Sequence, residues 1–182
     1  MHIVDYVILG LWVAFWVYWL AASRSAKAGQ SGWSRSIGIR VVAVLVVLLL
    51  VRTRAVKGHA VTTDPWLGGI GFAIFVLGLG LAVWARVYLG RNWGTPMSQK
   101  ADPELVTTGP YRKVRHPIYT GIILGMIGTA IAVSWFWWIA VGLMGGYFVY
   151  SAIMEERFME STFPDKYPEY KRSTKMLIPF VL

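Results

Sequence analysis

The sequence predicts an all-α, polytopic membrane protein with about five transmembrane helices, of which the last two form a helical hairpin. Of the 182 residues, 56% are hydrophobic and only 15% are charged, a composition unlike that of an ordinary soluble domain. Apolar stretches long enough to cross a bilayer as helices recur along the chain. We therefore interpret residues 1–182 as a single integral-membrane domain.

The predicted transmembrane helices cover five stretches, residues 3–22, 37–51, 66–85, 118–133 and 136–154. The first lacks a basic region before it and is longer than the apolar part of a signal peptide, so we interpret it as a transmembrane helix. The second is short for a bilayer-spanning helix unless the side chain of Arg40 extends toward the membrane interface. The third contains the stretches GGIGF and GLG, whose small residues allow close helix packing. The polar and aromatic break SWFWW at residues 134–138 predicts the turn of the hairpin.

The basic residues predict how the chain is oriented. Most of them lie in segment 86–117 and in the tail after residue 154, and a hairpin brings these two regions to the same side. Because cytoplasmic loops are rich in Lys and Arg, we expect the N-terminus outside and the C-terminus in the cytoplasm. The membrane would be the inner membrane of a prokaryote or the endoplasmic reticulum of a eukaryote. The two short N-terminal loops carry three cations each, so the orientation depends on the last two segments.

The composition also excludes several classes of function. The net charge is +9, but the cations lie in short loops beside apolar stretches, where they contact lipid headgroups, and no basic domain typical of nucleic-acid binding is recognisable. We therefore expect no nucleic-acid partner. There is no cysteine, which excludes disulfides, a thiolate nucleophile and thiolate metal sites. His2, His59 and His116 are far apart in the sequence, so no metal site is predicted.

Two adjacent carboxylates, Glu155 and Glu156, lie at the predicted end of the last apolar helix. The helix dipole disfavours anions there, so the pair is badly placed for stability alone. One interpretation is that the pair marks the exit of the helix into water. The other is a binding site, because carboxylates accept hydrogen bonds from an ammonium group or ribose hydroxyls. Arg115 and His116, across the hairpin, can donate to a carboxylate, so a ligand with an amino and a carboxyl group would suit the arrangement.

The stretch GPYRKVRHPIYTG precedes the predicted hairpin. Pro117 biases His116 away from helical geometry, so we expect Arg115 and His116 in an extended elbow that displays their side chains. Tyr111 and Tyr119 flank the elbow and are suited either to stacking on a purine or to the interfacial aromatic belt. The basic residues have a second interpretation as ordinary anchors on the cytoplasmic side.

The combination of motifs is more specific than any one of them. LVTTGPYRKVRHPIYTG is followed, after the predicted hairpin, by EERFMESTFPDKYPEYKRST. Together they resemble the signature of the isoprenylcysteine carboxyl methyltransferases and the related membrane phospholipid methyltransferases, over Arg86 to Phe180. The resemblance implies a membrane enzyme that uses S-adenosyl-L-methionine and releases S-adenosyl-L-homocysteine. It also implies a cytoplasmic cofactor-binding layer, formed by segments 86–121 and 154–180.

Carried over residue by residue, the resemblance implies two groups of site residues. The cofactor-binding group comprises Tyr111, Arg115, His116, Pro117, Tyr119, Gly121, Glu155 and Glu156. The catalytic group comprises Arg86, Asn92 and Glu156. Arg86 lies where the family has an arginine beside the acceptor, and a bidentate pair would orient an acceptor carboxylate. An amine acceptor would instead need one of the glutamates as a base. Without the resemblance, Arg86 would be interpreted as an interfacial anchor.

The implied function is methyl transfer to a lipophilic acceptor at the membrane interface, most like carboxyl O-methylation of an isoprenylcysteine-type substrate. A phospholipid amine and a small hydrophobic thiol are alternative acceptors for the same cofactor site.

A membrane reductase using NADPH is an alternative class of protein, although the glutamate pair would repel the 2′-phosphate of NADPH. A third is a non-catalytic lipid-binding protein, in which His116 would be dispensable. The expected partners are a lipophilic or prenylated substrate and membrane lipids. The choice between Glu155 and Glu156 as the cofactor contact stays open. The oligomeric state stays open as well.

Overall fold

A computed structural model of the chain describes residues 3–23, 29–31, 62, 64–93, 98–100 and 104–178. Its helices are α1 (Ile3–Ser23), α2 (Pro65–Leu89), α3 (Pro117–Ala132), α4 (Trp137–Thr162) and α5 (Tyr167–Ser173). Two short strands, β1 (Gly29–Ser31) and β2 (Ser98–Lys100), pair antiparallel, and 3₁₀ turns cover Gly90–Asn92 and Gly109–Arg112. The predicted span at residues 37–51 lies outside the described residues. The mainly helical fold agrees with the predicted class, and the small β1–β2 pair is an addition to it.

Three of the described helical stretches are long and apolar enough to cross a membrane, Ile3–Ala22, Pro65–Asn92 and Trp137–Thr162. They match the predicted first, third and fifth spans. The fourth predicted span corresponds to α3, which has 16 residues. At 1.5 Å per residue α3 is about 24 Å long, somewhat less than the hydrocarbon core of a bilayer.

The predicted end of the fifth span at residue 154 is wrong, because α4 continues to Thr162. Glu155 and Glu156 therefore lie inside a helix and do not end it. The apolar pattern stops at Met154, but helical backbone hydrogen bonds do not require apolar side chains, and charged side chains can be buried on a helix when they have partners. Both glutamates have such partners, as described below.

Local signals define the two ends of α2. Asp64 Oδ1 accepts a hydrogen bond from the backbone N–H of Trp66 at 2.8 Å, and Pro65 is the first helical residue. At the other end Gly90 has φ 56°, a conformation that favours glycine, and its N–H donates to the carbonyl of Arg86. This cap places Arg86 in the last turn of α2.

Glycines bring α2 and α3 into backbone contact. A Cβ atom on Gly121 would lie 2.6 Å from both the carbonyl oxygen of Gly78 and the nitrogen of Ala82, and a Cβ on Gly78 would overlap the nitrogen of Gly125. The predicted close packing of the third span is thus confirmed. Only part of the predicted motif takes part, because a Cβ on Gly80 would meet no described atom within 4 Å.

The hairpin of α3 and α4 turns at the predicted aromatic break. Ser134 and Phe136 lie between the two helices, and the backbone N–H of Phe136 donates to Ser134 Oγ at 3.4 Å. Near the other end of the hairpin, the ring of Tyr119 on α3 stacks on Phe148 of α4 with centroids 4.8 Å apart. Helix α1 packs beside α3, where Trp12 Nε1 donates to Thr129 Oγ1 at 3.1 Å. The hairpin therefore holds the elbow before α3 close to the last turns of α4.

Candidate active site

The C-terminal segment lies against the elbow that precedes α3. We call residues 167–178, which include α5, the C-terminal strap. The extended part of the strap pairs in parallel with the elbow. The backbone N–H groups of Arg115 and His116 donate to the carbonyls of Lys175 and Met176 at 2.8 and 3.0 Å. This pairing brings together the two segments that the sequence motifs single out.

Arg115 ties α4 and the C-terminal strap to the elbow. Its Nε donates to Glu156 Oε1 at 2.6 Å, and the two side chains are only 8% and 6% exposed. Its Nη1 donates to the carbonyls of Thr174 at 2.6 Å and Lys171 at 3.2 Å. Lys171 Nζ lies 3.1 Å from Glu156 Oε2 and 2.8 Å from Glu160 Oε1, and the hydrogen bond to Glu160 raises the pKa of Lys171 against the effect of burial. Glu156 is thus buried and neutralised by two cations.

His116 lies between the two adjacent glutamates. Its Nδ1 is 3.5 Å from Glu155 Oε2, and its Nε2 is 3.6 Å from Glu156 Oε1. The His116 ring is parallel to that of Tyr119, whose hydroxyl donates to Glu155 Oε1 at 2.6 Å. At 3.6 Å the Nε2 contact is too long for a hydrogen bond, and this buried nitrogen has no hydrogen-bond partner among the described residues. We call these four residues, with Arg115, the carboxylate cluster.

The two glutamates differ in their surroundings. The side chain of Glu155 is 26% exposed, whereas that of Glu156 is 6% exposed. Glu156 holds the cluster together through Arg115 and Lys171, while Glu155 faces the partly open side beside His116 and Tyr119. The buried nitrogen of His116 and the carboxylate of Glu155 together offer hydrogen-bonding atoms to a ligand with amino or hydroxyl groups.

The remaining predicted cofactor-binding residues have packing roles in the structure. Tyr111 is buried, and its hydroxyl donates to the carbonyl of Ala85 at 3.3 Å, while its own carbonyl accepts from Tyr170 Oη at 2.7 Å. Burial raises the pKa of both tyrosine hydroxyls, so both stay protonated donors. Pro117 begins α3 and is buried. Gly121 lies in the backbone contact with α2. Their cofactor-binding roles stay predictions.

Arg86 is buried at 3% exposure near the C-terminal end of α2. Its Nη1 donates to the carbonyl of Gly90 at 2.8 Å and its Nη2 to the carbonyl of Ala22 at the end of α1 at 2.7 Å. The guanidinium lies 4.4 Å from the ring centroid of Trp93, a cation–π distance, and Nε has no hydrogen-bond partner in the part of the chain that the structure describes. Arg86 therefore joins α1, α2 and the following turn.

Asn92 lies in the 3₁₀ turn after α2. Its Nδ2 donates to Glu104 Oε2 at 2.7 Å, and its Oδ1 is buried without a hydrogen-bond partner among the described residues. The structure thus divides the predicted site residues into the carboxylate cluster and a second group at the end of α2, formed by Arg86 and Asn92. The catalytic roles of both stay predictions.

An open cleft of about 730 Å³ lies next to the carboxylate cluster. It is bounded by the segment before the elbow and by the region from the end of α4 to the C-terminal strap: Glu104, Leu105, Thr107, Arg112, Phe163, Lys166, Glu169, Tyr170, Ser173 and Thr174. None of the predicted site residues lines it. The cluster and the cleft share a wall, because Thr174 lines the cleft and its carbonyl accepts from Arg115.

Sequence reasoning missed several residues that build the site. Lys171 was interpreted only as one of the cytoplasmic cations, although it is the second partner of Glu156. Thr174 contributes mainly a backbone carbonyl, for which a side-chain motif gives no signal. Ser151 is fully buried in α4, and its hydroxyl has no partner among the described residues. Its spacing of four residues from Glu155 was the available signal, since residues four apart share a helix face.

Comparison with known proteins places the chain in a family. A family model described as phospholipid methyltransferase matches residues 67–166. The nickel-cobalt-cadmium resistance protein NccN of Alcaligenes xylosoxydans xylosoxydans is 30% identical over 146 residues, which cover 79% of this chain and 64% of that protein. Protein-S-isoprenylcysteine O-methyltransferase A of Arabidopsis thaliana is 27% identical over 77% of this chain and 73% of its own length. The chain thus spans less than two thirds of the length of the metal-resistance relative.

A solved structure supports the architecture. The eukaryotic intramembrane Ras methyltransferase ICMT, an isoprenylcysteine carboxyl methyltransferase, aligns with a TM-score of 0.57 at 24% identity. The alignment covers 84% of this chain and 55% of that one, and at this identity it shows a shared fold. The resemblance inferred from the sequence motifs is confirmed. Because the family model covers more than half of the chain, this membrane protein belongs to the phospholipid methyltransferase family.

Proposed function

We propose that the chain is a methyltransferase that uses S-adenosyl-L-methionine to methylate a lipophilic acceptor at the membrane interface. The observation that carries the proposal is the carboxylate cluster, in which His116 of the elbow and Tyr119 of α3 meet Glu155 and Glu156 of α4. Membership of the phospholipid methyltransferase family supports the same class of reaction. Acceptor and cofactor would meet where the cluster adjoins the apolar body of the protein.

The residues of the cluster fit the proposed cofactor. Glu155 is partly exposed and is suited to accept hydrogen bonds from the ammonium group or the ribose hydroxyls. The buried Nε2 of His116, which lacks a partner within hydrogen-bond distance, would gain one from a bound ligand. We therefore assign cofactor contact to Glu155 and a supporting role to Glu156. When bound, S-adenosyl-L-methionine supplies an electrophilic methyl group on a sulfonium centre.

The chain would act mainly by holding and desolvating the reactants. Transfer to a sulfonium methyl group requires an aligned nucleophile without a hydration shell more than it requires acid catalysis. Tyr119 orients the Glu155 carboxylate through its hydrogen bond, and the ion pair of Arg115 with Glu156 keeps the C-terminal strap against the elbow. These contacts fix the cluster before a ligand arrives, which is the condition for catalysis by positioning.

The acceptor is the part of the proposal that family membership leaves open. The Arabidopsis relative is named for an isoprenylcysteine substrate. Carried over to this chain, that name corresponds to carboxyl O-methylation, with Arg86 and Asn92 beside the acceptor. A phospholipid amine or a hydrophobic thiol would use the same cofactor site with a different group in the acceptor position. The role predicted for Arg86 depends on a carboxylate acceptor.

Cofactor binding provides the direct test. We expect S-adenosyl-L-homocysteine to bind the purified, detergent-solubilised protein with about micromolar affinity, measured by titration calorimetry. His116→Ala should weaken this binding by about 1–3 kcal/mol, the cost of losing a buried hydrogen-bond partner. Lys113→Met, which changes an exposed cation of the same segment, should leave it unchanged. Binding of NADPH in place of S-adenosyl-L-homocysteine would favour a reductase, and binding of neither would favour a non-catalytic lipid-binding protein.

The orientation of the chain has a separate test, because the protein has no native cysteine. Under the proposed cytoplasmic location of the active site, Lys175→Cys in the C-terminal strap should react with a membrane-impermeant maleimide only after the membrane is opened. Trp135→Cys, in the exposed turn of the hairpin, should react from outside intact cells. The reverse labelling pattern would place the active site on the outer side.

A further inference from the structure

Two buried polar atoms near the end of α2 have no hydrogen-bond partner among the described residues. One is Arg86 Nε, a donor, and the other is Asn92 Oδ1, an acceptor. Arg86 as a whole is only 3% exposed. Its guanidinium contacts Gly90 and Trp93, which lie on either side of Asn92 in the chain. The two unpaired atoms therefore belong to one small region, and they have opposite hydrogen-bonding character.

Glu104 determines which end of the Asn92 amide is left unpaired. Asn92 Nδ2 donates to Glu104 Oε2 at 2.7 Å. The two ends of an amide have nearly the same shape, so their hydrogen-bond partners decide which end lies where. An ionised carboxylate only accepts hydrogen bonds and has to face the NH₂ group, because the reversed amide would bring Oδ1 against its negative charge. Glu104 thus fixes the amide in the orientation that leaves Oδ1 buried and unpaired.

The two unpaired atoms together specify the group that would pair them. Unpaired buried polar atoms are rare, because they lose their bonds to water without replacement. A ligand group that pairs both atoms has to accept a hydrogen bond from Arg86 Nε and donate one to Asn92 Oδ1. A hydroxyl group and a secondary amide can do both. The region is therefore suited to a neutral group of this kind.

Charged head groups fit the same region poorly. A carboxylate has no hydrogen to donate to Asn92 Oδ1, and the charge of Glu104 would repel it. The terminal nitrogens of Arg86, which a bidentate carboxylate pair would need, already donate to the carbonyls of Gly90 and Ala22. An ammonium group cannot accept from Arg86 and carries the same charge as the guanidinium.

We propose that Glu104 is a positioning residue that presents the Asn92 oxygen to the methyl acceptor, and that this acceptor is held through a hydroxyl or secondary amide group. The inference rests on the proposed function and specifies the class of its substrate. Glu104 also lines the open cleft, which shares the wall at Thr174 with the carboxylate cluster. It thus lies between the Arg86–Asn92 group and the cleft beside the proposed cofactor site.

Ligands with alkyl chains of similar length test the head group. N-dodecylacetamide and dodecanol are compared with methyl tridecyl ketone, in which a methylene group replaces the amide N–H, and with dodecanoate. Dissociation constants are obtained from the ligand-dependent rise in the Tm of the detergent-solubilised protein, with and without S-adenosyl-L-homocysteine. We expect the amide and the alcohol to bind at least about tenfold more tightly than the ketone and the carboxylate, because only they pair both atoms. The tighter of the two identifies the head group.

Glu104→Gln tests the positioning role. A glutamine side chain can donate as well as accept, so the Asn92 amide is free to turn and present Nδ2 to the ligand. We expect the preference for amide over ketone to fall to about twofold or less, while the Tm without ligand stays unchanged because the two side chains still pair. Partitioning of the ligands into detergent is the same for both proteins and cancels in this comparison. Glu169→Gln, at an exposed carboxylate of the same cleft, is the matched control and should keep the wild-type preference.

The possible failures are distinguishable from one another. Equal binding of amide and ketone by the wild type, tighter binding of dodecanoate, or binding of none of the ligands overturns the inferred head group. An unchanged preference in Glu104→Gln, with or without a lower Tm, overturns the positioning role. Failure of S-adenosyl-L-homocysteine to bind overturns the proposed function instead, and the titrations without it still report the head group.

Discussion

Gly78→Ala is expected to destabilise the protein by about 3 kcal/mol, the upper part of the range for inserting a methyl group into a packed interior. The added Cβ would overlap the backbone nitrogen of Gly125 and lie 2.7 Å from the carbonyl oxygen of Gly121. Since both are backbone atoms of α3, no side-chain rotation relieves the overlap, and the two helices have to move apart. Thermal unfolding in detergent, followed by circular dichroism, measures the effect.

Gly80→Ala is the matched control, two residues along the same helix. A Cβ there would meet no described atom within 4 Å. Alanine is favoured over glycine inside a helix by about 0.8–1.0 kcal/mol, so this variant should be as stable as the wild type or slightly more stable. Equal Tm values for the two variants would show that α2 and α3 are not in backbone contact at Gly78.

Arg115→Met is expected to lower the free energy of unfolding by about 3–5 kcal/mol, as when one partner of a buried ion pair is removed. Arg115 contacts Glu156 and the carbonyls of Lys171 and Thr174, so its loss affects α4 and the C-terminal strap together. The expected result is a lower Tm and faster proteolytic cleavage within the strap. Lys171 would remain beside Glu156 and limit the effect to the lower part of the range.

The control for this variant is Lys113→Met, which removes an exposed cation two residues earlier. It should change neither the Tm nor the rate of cleavage. The double variant Arg115→Met with Glu156→Gln should be more stable than the sum of the single effects predicts, because neither charge is then left unpaired. Strict additivity would contradict a direct interaction between the two side chains.

The three long spans of the described residues were predictable because they depend on apolar length and composition, which the sequence displays directly. The hairpin turn was predictable for the same reason, from one polar and aromatic break. The end of α4 was not, because charged residues at Glu155 and Glu156 resemble a helix exit unless their partners are known. One of those partners is Lys171 of the C-terminal strap, which contacts Glu156 only in the folded chain.

The candidate site was predictable to the extent that its residues belong to motifs. His116, Tyr119 and Glu155 come together as the motifs indicated. The contacts of Arg86 were not predictable, because its partners are backbone carbonyls that carry no sequence signal. Ser151 escaped notice because a single serine in an apolar helix is ordinary, and only the lack of a hydrogen-bond partner among the described residues distinguishes its hydroxyl.

The backbone contact between α2 and α3 also limits where a lipid-borne molecule can enter. Two helices that touch through glycines can neither part nor slide without losing that contact, so together they form a fixed wall. Helix α4 is different, because a Cβ on Gly142, Gly145 or Gly146 would meet no described atom within 4 Å. A molecule from the bilayer therefore cannot pass between α2 and α3 at Gly78 and Gly121, whereas the three glycine positions of α4 leave room for a larger side chain among the described residues.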